Sequence, residues 1–188
     1  MLNELHRGTC IDAFERYVRG TLDVRSHVLA DVPVDALLSE PFEVACVYVL
    51  RLDLTSMLEP TIRAIPNRLD DMGILYIGGH PSGLQTSRFN KLLRACRRAE
   101  AEFRELGYAT NDLRHGHTVA SCLTTSLLAK GFRTSSCILD LVKTEERVDE
   151  LELIVGYQER FHHLPPWNTL RGGASALNRS KATNEAVL

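Results

Sequence analysis

Paired cysteine is absent from this sequence. Its five cysteines, Cys10, Cys46, Cys96, Cys122 and Cys137, are an odd number with no C-x-x-C spacing. That argues against both a disulfide framework and a zinc site, and most of them sit in apolar runs, as the reduced, buried thiols of a cytoplasmic protein do. No apolar run approaches the roughly 20 residues of a membrane span, and Glu4, His6 and Arg7 stand where a secretory signal needs an apolar core. The expectation is a soluble, cytoplasmic protein with no membrane partner. Neither sign of charge is in excess: 22 basic against 24 acidic residues leave a net charge of -2, which gives no global reason to bind nucleic acid. There is no internal repeat and no obvious catalytic triad, and Gly78 to Gly83 lacks the Lys-Ser/Thr of a P-loop. A chain of 188 residues fits one domain able to bury about two thirds of its unfolded surface.

What is present centres on residues 40–80. The run 41–50, Pro-Phe-Glu-Val-Ala-Cys-Val-Tyr-Val-Leu, is almost unbroken in apolar residues, too short for an ordinary helix and rich in β-branched side chains, so it reads as a buried strand. From Leu54 the period becomes helical, with Met57, Leu58, Ile62, Ile65 and Leu69 behind Asp53 or Thr55 as caps and Pro60 and Pro66 as breaks. A turn at 70–73 leads to a second apolar strand, 74–77, ending in Gly78-Gly79. Strand, helix, strand implies a parallel α/β sheet, with ligand loops beyond the strand ends near 48–53 and 78–83.

Around this unit, residues 1–5 read as the last turn of a helix capped at Gly8, 9–11 as a short strand stopping at Asp12, and 14–19 as a helix ended by Gly20. Residues 27–30 read as a strand stopping at Asp31. An acid at the carboxyl end of a strand faces the ligand crevice and can hydrogen-bond a ribose hydroxyl or an adenine amino group; the alternative for each Asp is a helix cap. A long helix covers 87–106, with Phe89, Leu92, Leu93, Cys96, Ala99, Phe103 and Leu106 as its buried stripe. Residues 118–130 form a further helix ending at Gly131, 132–142 a strand, and 151–158 an alternating strand that closes an antiparallel hairpin with it. From Pro165 the composition turns to Gly, Ser, Asn and Ala, so the folded domain is expected over 1–164 and a disordered tail over 165–188, where Trp167 can still dock.

These pieces, in order, resemble the class I S-adenosylmethionine-dependent methyltransferases. Leu-Leu-Ala-Lys-Gly-Phe at 127–132 before two strands resembles the turn into that family's final hairpin, and Cys10-Ile11-Asp12 resembles its second strand with the ribose-binding acid. Ala30-Asp31-Val32 resembles the adenine-facing segment, Phe42-Glu43-Val44 through Val49-Leu50 the fourth strand, and 69–77 the turn and fifth strand. The resemblance implies a Rossmann-like, doubly wound, mostly parallel sheet with a carboxyl-terminal antiparallel hairpin. It further implies S-adenosyl-L-methionine as cofactor, Asp12, Asp31, Val32 and Tyr48 as its contacts, and methyl transfer to an unidentified acceptor. The family's first strand and Gly-rich loop have no counterpart, since eleven residues precede Asp12, and Glu43 replaces the usual Asp. The chain therefore reads as a truncated or degenerate member, with self-association expected from the gap in its sheet; the alternative is a non-catalytic, methyltransferase-like protein-binding module. His80 is placed where a base would face the substrate, although a polar loop histidine needs no role. His115 and His117 have no matching ligand motif, and no metal is expected.

Overall fold

In the computed structural model, which describes residues 4–32, 46–55, 70–80, 87–107, 119, 122–123, 127–143 and 150–168, four strands form one sheet that is antiparallel throughout. They are β1 (Asp23–Val28), β2 (Cys46–Leu52), β3 (Ile74–His80) and β4 (Cys137–Lys143), in the spatial order β1-β4-β2-β3. Among the described residues three α-helices accompany them, α1 (Glu4–Val18), α2 (Ser87–Leu106) and α3 (Glu150–Phe161). The expected Rossmann-like, mostly parallel sheet of the class I methyltransferase type is overturned, because β2 runs antiparallel to both of its neighbours.

The physical reason lies in what covers the sheet. Alternate residues of β2 enter different cores: Val47 and Val49 pack with α1 and α3, whereas Tyr48, Leu50 and Leu52 pack with α2 and with Val119, Leu123 and Leu127. Unbroken apolar runs are the habit of parallel strands only because such strands are buried on both faces. Here an antiparallel sheet is buried on both faces, and β2 and β3 acquire the same appearance. A long connection permits a parallel crossover but does not require one.

Two further readings are corrected. Residues 9–11 are no strand; α1 runs through Gly8, and Cys10, Ala13, Phe14 and Tyr17 recur at helical spacing as its buried face. Glycine inside a helix costs roughly 1 kcal/mol, which the tertiary contacts of that face offset. Residues 151–158 are no strand either, but the body of α3, whose first turn carries Glu150 and Glu152 and whose last carries Arg160, as the helix dipole favours. Its apparent alternation arises because Leu153, Ile154, Val155, Gly156 and Tyr157 are all buried, wedged between α1 and the sheet. Other punctuation is where the sequence places it. Gly20 ends α1 at φ +66°, α2 occupies the expected span, and Gly131, at φ +86°, donates its N–H to Leu128 O. Asp70 Oδ1 accepts the N–H groups of Met72 and Ile74 and so shapes the turn into β3.

Helices α1 and α3 meet at Gly156, where a Cβ would lie 2.4 Å from both Cys10 O and Phe14 Cβ. Phe14 packs edge-on to Tyr157 and Phe161 beside this point, and Arg160 donates to Glu15 Oε1 at 2.7 Å across the helix pair. Gly156→Ala should therefore force the helices apart and destabilise the protein by about 1 to 3 kcal/mol. Gly8→Ala, at a position with nothing within 4 Å, should stabilise it by about 0.5 to 1 kcal/mol. Denaturant midpoints of the two variants check both signs.

Candidate functional site

An acid inside the apolar run Cys-Ile-Leu-Asp-Leu-Val must find partners or stay out of the core. Asp140 is buried and finds three. Its Oδ2 accepts Tyr17 Oη–H at 2.7 Å and Arg51 Nε–H at 2.7 Å; its Oδ1 accepts Ser26 Oγ–H at 2.6 Å and a longer contact from Arg51 Nη2 at 3.5 Å. These donors come from α1, β2 and β1, so one carboxylate joins four elements. Burial, reinforced by the charge and hydrogen bond of Asp140, pushes the Tyr17 phenol far above its usual range and keeps it a donor. A carboxylate has about four acceptor positions, and all are in use. The cluster therefore offers no free base to a substrate; what it does is position β1.

The thiols are no more available. Burial, with Glu100 adding to it, pushes Cys96 up to about 12. Burial and then the proximity of Cys96 and Glu100 raise Cys137, and burial raises Cys122. Glu100 itself accepts from the hydroxyl and N–H of Thr134.

The edges of the sheet differ sharply. Leu52 N–H donates to Gly73 O and Asp53 N–H to Ser136 O, each at 2.9 Å, so even-numbered backbone groups of β2 point to β3 and odd-numbered ones to β4. Carried through the registers, this alternation turns Ile77 and Gly79 of β3 outward, and likewise Val24, Ser26 and Val28 of β1. On β3 those outward groups are met. Trp167 N–H donates to Leu75 O, the Asn168 side chain accepts from Ile77 N–H at 2.9 Å and donates to Ile77 O at 2.8 Å, and Glu150 Oε2 accepts from Gly79 N–H. The Asn168 amide thus stands in for the next strand. Among the described residues, the N–H and C=O of Val24 and Ser26 and the N–H of Val28 meet no partner and no further strand flanks β1.

The residues singled out from the sequence do not converge. Asp12 is exposed on α1, on the α1–α3 side, and Asp31 is exposed at the end of the 3-10 turn Leu29–Asp31; neither ends a strand. Val32 and Tyr48 are buried together in the core on the opposite side of the sheet, with Tyr48 in mid-strand beneath Phe89 and its ring lying across Gly78. His80 ends β3, and its side chain lies outside the described residues, as do His115 and His117. Among the described residues no three His, Cys, Asp or Glu side chains gather as a metal site would need, and no helix is long and apolar enough to cross a membrane. Trp167 is docked and buried. Sequence reasoning missed Asp140, Arg51 and Tyr17, although a lone acid within an apolar strand was the available signal. The family models, the curated proteins and the solved structures compared with this chain contain no match to it.

Asp140→Ala would remove the acceptor of the buried Tyr17 hydroxyl, the half-buried Arg51 guanidinium and the Ser26 hydroxyl, and should cost about 3 kcal/mol by equilibrium unfolding. A pH effect follows as well. The Tyr17 phenol is raised on folding, and so is that of Tyr157, by burial and by its 2.7 Å bond to Asp70 Oδ2. The unfolded chain then ionises first, so this stabilisation is whole below pH about 10 and falls as the pH rises above it. Urea midpoints should decline between pH about 9.5 and 11, and Tyr17→Phe should flatten that decline.

Proposed function

We propose that this protein is an interaction module that accepts an extended segment of a protein partner along the outer edge of β1. The observation that carries this reading is the set of five outward backbone groups on Val24, Ser26 and Val28 that meet no partner among the described residues. An edge strand is a ready template for another strand, and proteins usually blunt it. The same molecule closes its β3 edge with Glu150, Trp167 and Asn168, so an open β1 is not a general feature of the fold. The edge is also held firm. Ser26 is fastened to Asp140, and Asp140 to Arg51 and Tyr17, so the strand is ordered before a partner arrives and little entropy is lost on pairing. Main-chain hydrogen bonds supply affinity in such strand addition, and alternate side chains supply choice.

The expectation of S-adenosylmethionine-dependent methyl transfer rested on a parallel sheet with acids at its strand ends. The antiparallel sheet leaves that expectation without a structural basis, and among the described residues neither the saturated Asp140 nor the buried thiols of Cys96 and Cys137 offer substitute chemistry. The present reading shares with the alternative drawn from the sequence only the binding of a protein partner, and it rests on the β1 edge rather than on any methyltransferase likeness.

Val28 has φ -64° and an exposed side chain, so proline fits there without strain while deleting an outward N–H. Displayed extended peptides selected on the wild-type protein should bind Val28→Pro about tenfold more weakly or not at all, at unchanged thermal stability. Selection yielding only peptides indifferent to Val28→Pro would remove the β1 edge as the binding site.

A further inference from the structure

The exposed charges of α2 run against what the helix itself favours. Lys91, Arg94 and Arg98 stand at i, i+3 and i+7 and are all exposed, so they form one outward row about 10 Å long. Like charges three and four residues apart repel and destabilise a helix. The helix has no acid in its first turn and its acids come late, at Glu100, Glu102 and Glu105, whereas its dipole favours acids at the start. Neighbouring charges are engaged within the fold: Arg97 donates to Val32 O, and Glu100 accepts from Thr134 and faces Arg104 at 3.5 Å. Lys91, Arg94 and Arg98 meet no partner among the described residues. A face that was merely solvated would intersperse the two signs. An unpaired row of one sign, kept at a cost to the helix, fits a partner of the opposite sign.

The surroundings of the row narrow that partner. Both aromatic residues of α2, Phe89 and Phe103, pack against the core, so a nucleic-acid base has nothing to stack on. No large apolar side chain is exposed on α2 before Leu106, so nothing would anchor the row in a lipid surface. A DNA duplex or a charged bilayer would also run on past Arg98 to Glu105, two turns away and of the wrong sign, where a short acidic segment would not. Arg97 sets the row beside the proposed edge. Its acceptor Val32 follows the turn Leu29–Asp31 that leaves β1, so a flank of α2 adjoins the Val28 end of that strand. Asp31, exposed on this turn, repels acids at the strand end itself and favours their placement on α2. We infer that the partner accepted along β1 is a protein whose extended segment continues, beyond the Val28 end, into a short run of Asp and Glu that lies on Lys91, Arg94 and Arg98. This inference rests on the reading of β1 as a strand-accepting edge.

Arg94→Glu tests it, because the change helps the helix and harms the row. A glutamate at 94 would attract Lys91 and Arg98 where the arginine repels them. The thermal midpoint should rise, while peptides selected on the wild-type protein should bind about tenfold more weakly, a difference that high salt removes. Those peptides should carry two or more acids to one side of their strand-pairing core, and Arg94→Lys, which keeps the charge, should bind them as the wild type does. Selected peptides free of acid clusters, or bound equally by Arg94→Glu, would overturn the acidic run. Tighter, Arg94-dependent binding of a short DNA duplex or of phosphatidylserine vesicles than of the peptides would overturn a protein as the occupant of the row. The two levels separate. Peptides that lose affinity with Val28→Pro but not with Arg94→Glu keep the β1 edge and sink the acidic run, whereas acidic peptides indifferent to Val28→Pro sink the edge and this inference with it.

Discussion

One buried carboxylate ties three strands and a helix of this structure together. Asp140 sits in the middle of β4 and takes donors from β1, β2 and α1. Three of these contacts are 2.6 to 2.7 Å long, the length of hydrogen bonds in which the acceptor is charged. Strand β1 depends on it most. Four of its six residues are exposed and only Val24 and His27 are half-buried, so apolar burial gives β1 little reason to stay on the sheet. The Ser26–Asp140 bond and the pairing with β4 hold it in place. A saturated buried acid is a structural fastener, and here it fastens the strand on which the proposed function depends.

The opposite edge shows a different solution to the same problem. Strand β3 is apolar and buried, and left open it would be the adhesive edge of the molecule. It is closed by an Asn side chain that mimics a peptide group, by the backbone of Trp167 and by a carboxylate from the first turn of α3. Closing the apolar edge and leaving the charged one open is the arrangement that permits selective pairing. Backbone hydrogen bonds are indifferent to sequence, so discrimination on β1 must come from the side chains that line it.

Much of the local structure was legible and the topology was not. Helix α2 shows its stripe from Phe89 to Phe103, though Leu106 at its end is exposed, and Gly20, Gly131 and Asp70 mark their turns, because those signals are set by backbone geometry within a few residues. Strand direction is not local. The runs in β2 and β3 report burial on two faces, which parallel and covered antiparallel strands share, and the likeness to methyltransferases was assembled on that ambiguity. Helix α3 was hidden for a related reason: packing against α1 at Gly156 and against the sheet buries five consecutive residues, and periodicity fades when no side of a helix segment is exposed. At the site, Asp140 could have been found as an acid in an apolar run. The open edge could not, since whether a strand is an edge depends on the order β1-β4-β2-β3, which nothing in β1 itself encodes.

The asymmetry of the two edges also decides how far self-association can go. Pairing of β1 with β3 of another copy would be heterologous and would repeat without end, giving a filament. That route is blocked, because Ile77 and Gly79 already have their partners and a new strand would have to displace Asn168 and Glu150. A strand accepted along β1 leaves the sheet ending on its other side in the capped β3, where Trp167, Asn168 and Glu150 hold the outward backbone groups. Addition at β1 therefore creates no new edge at β3 from which the sheet could go on growing.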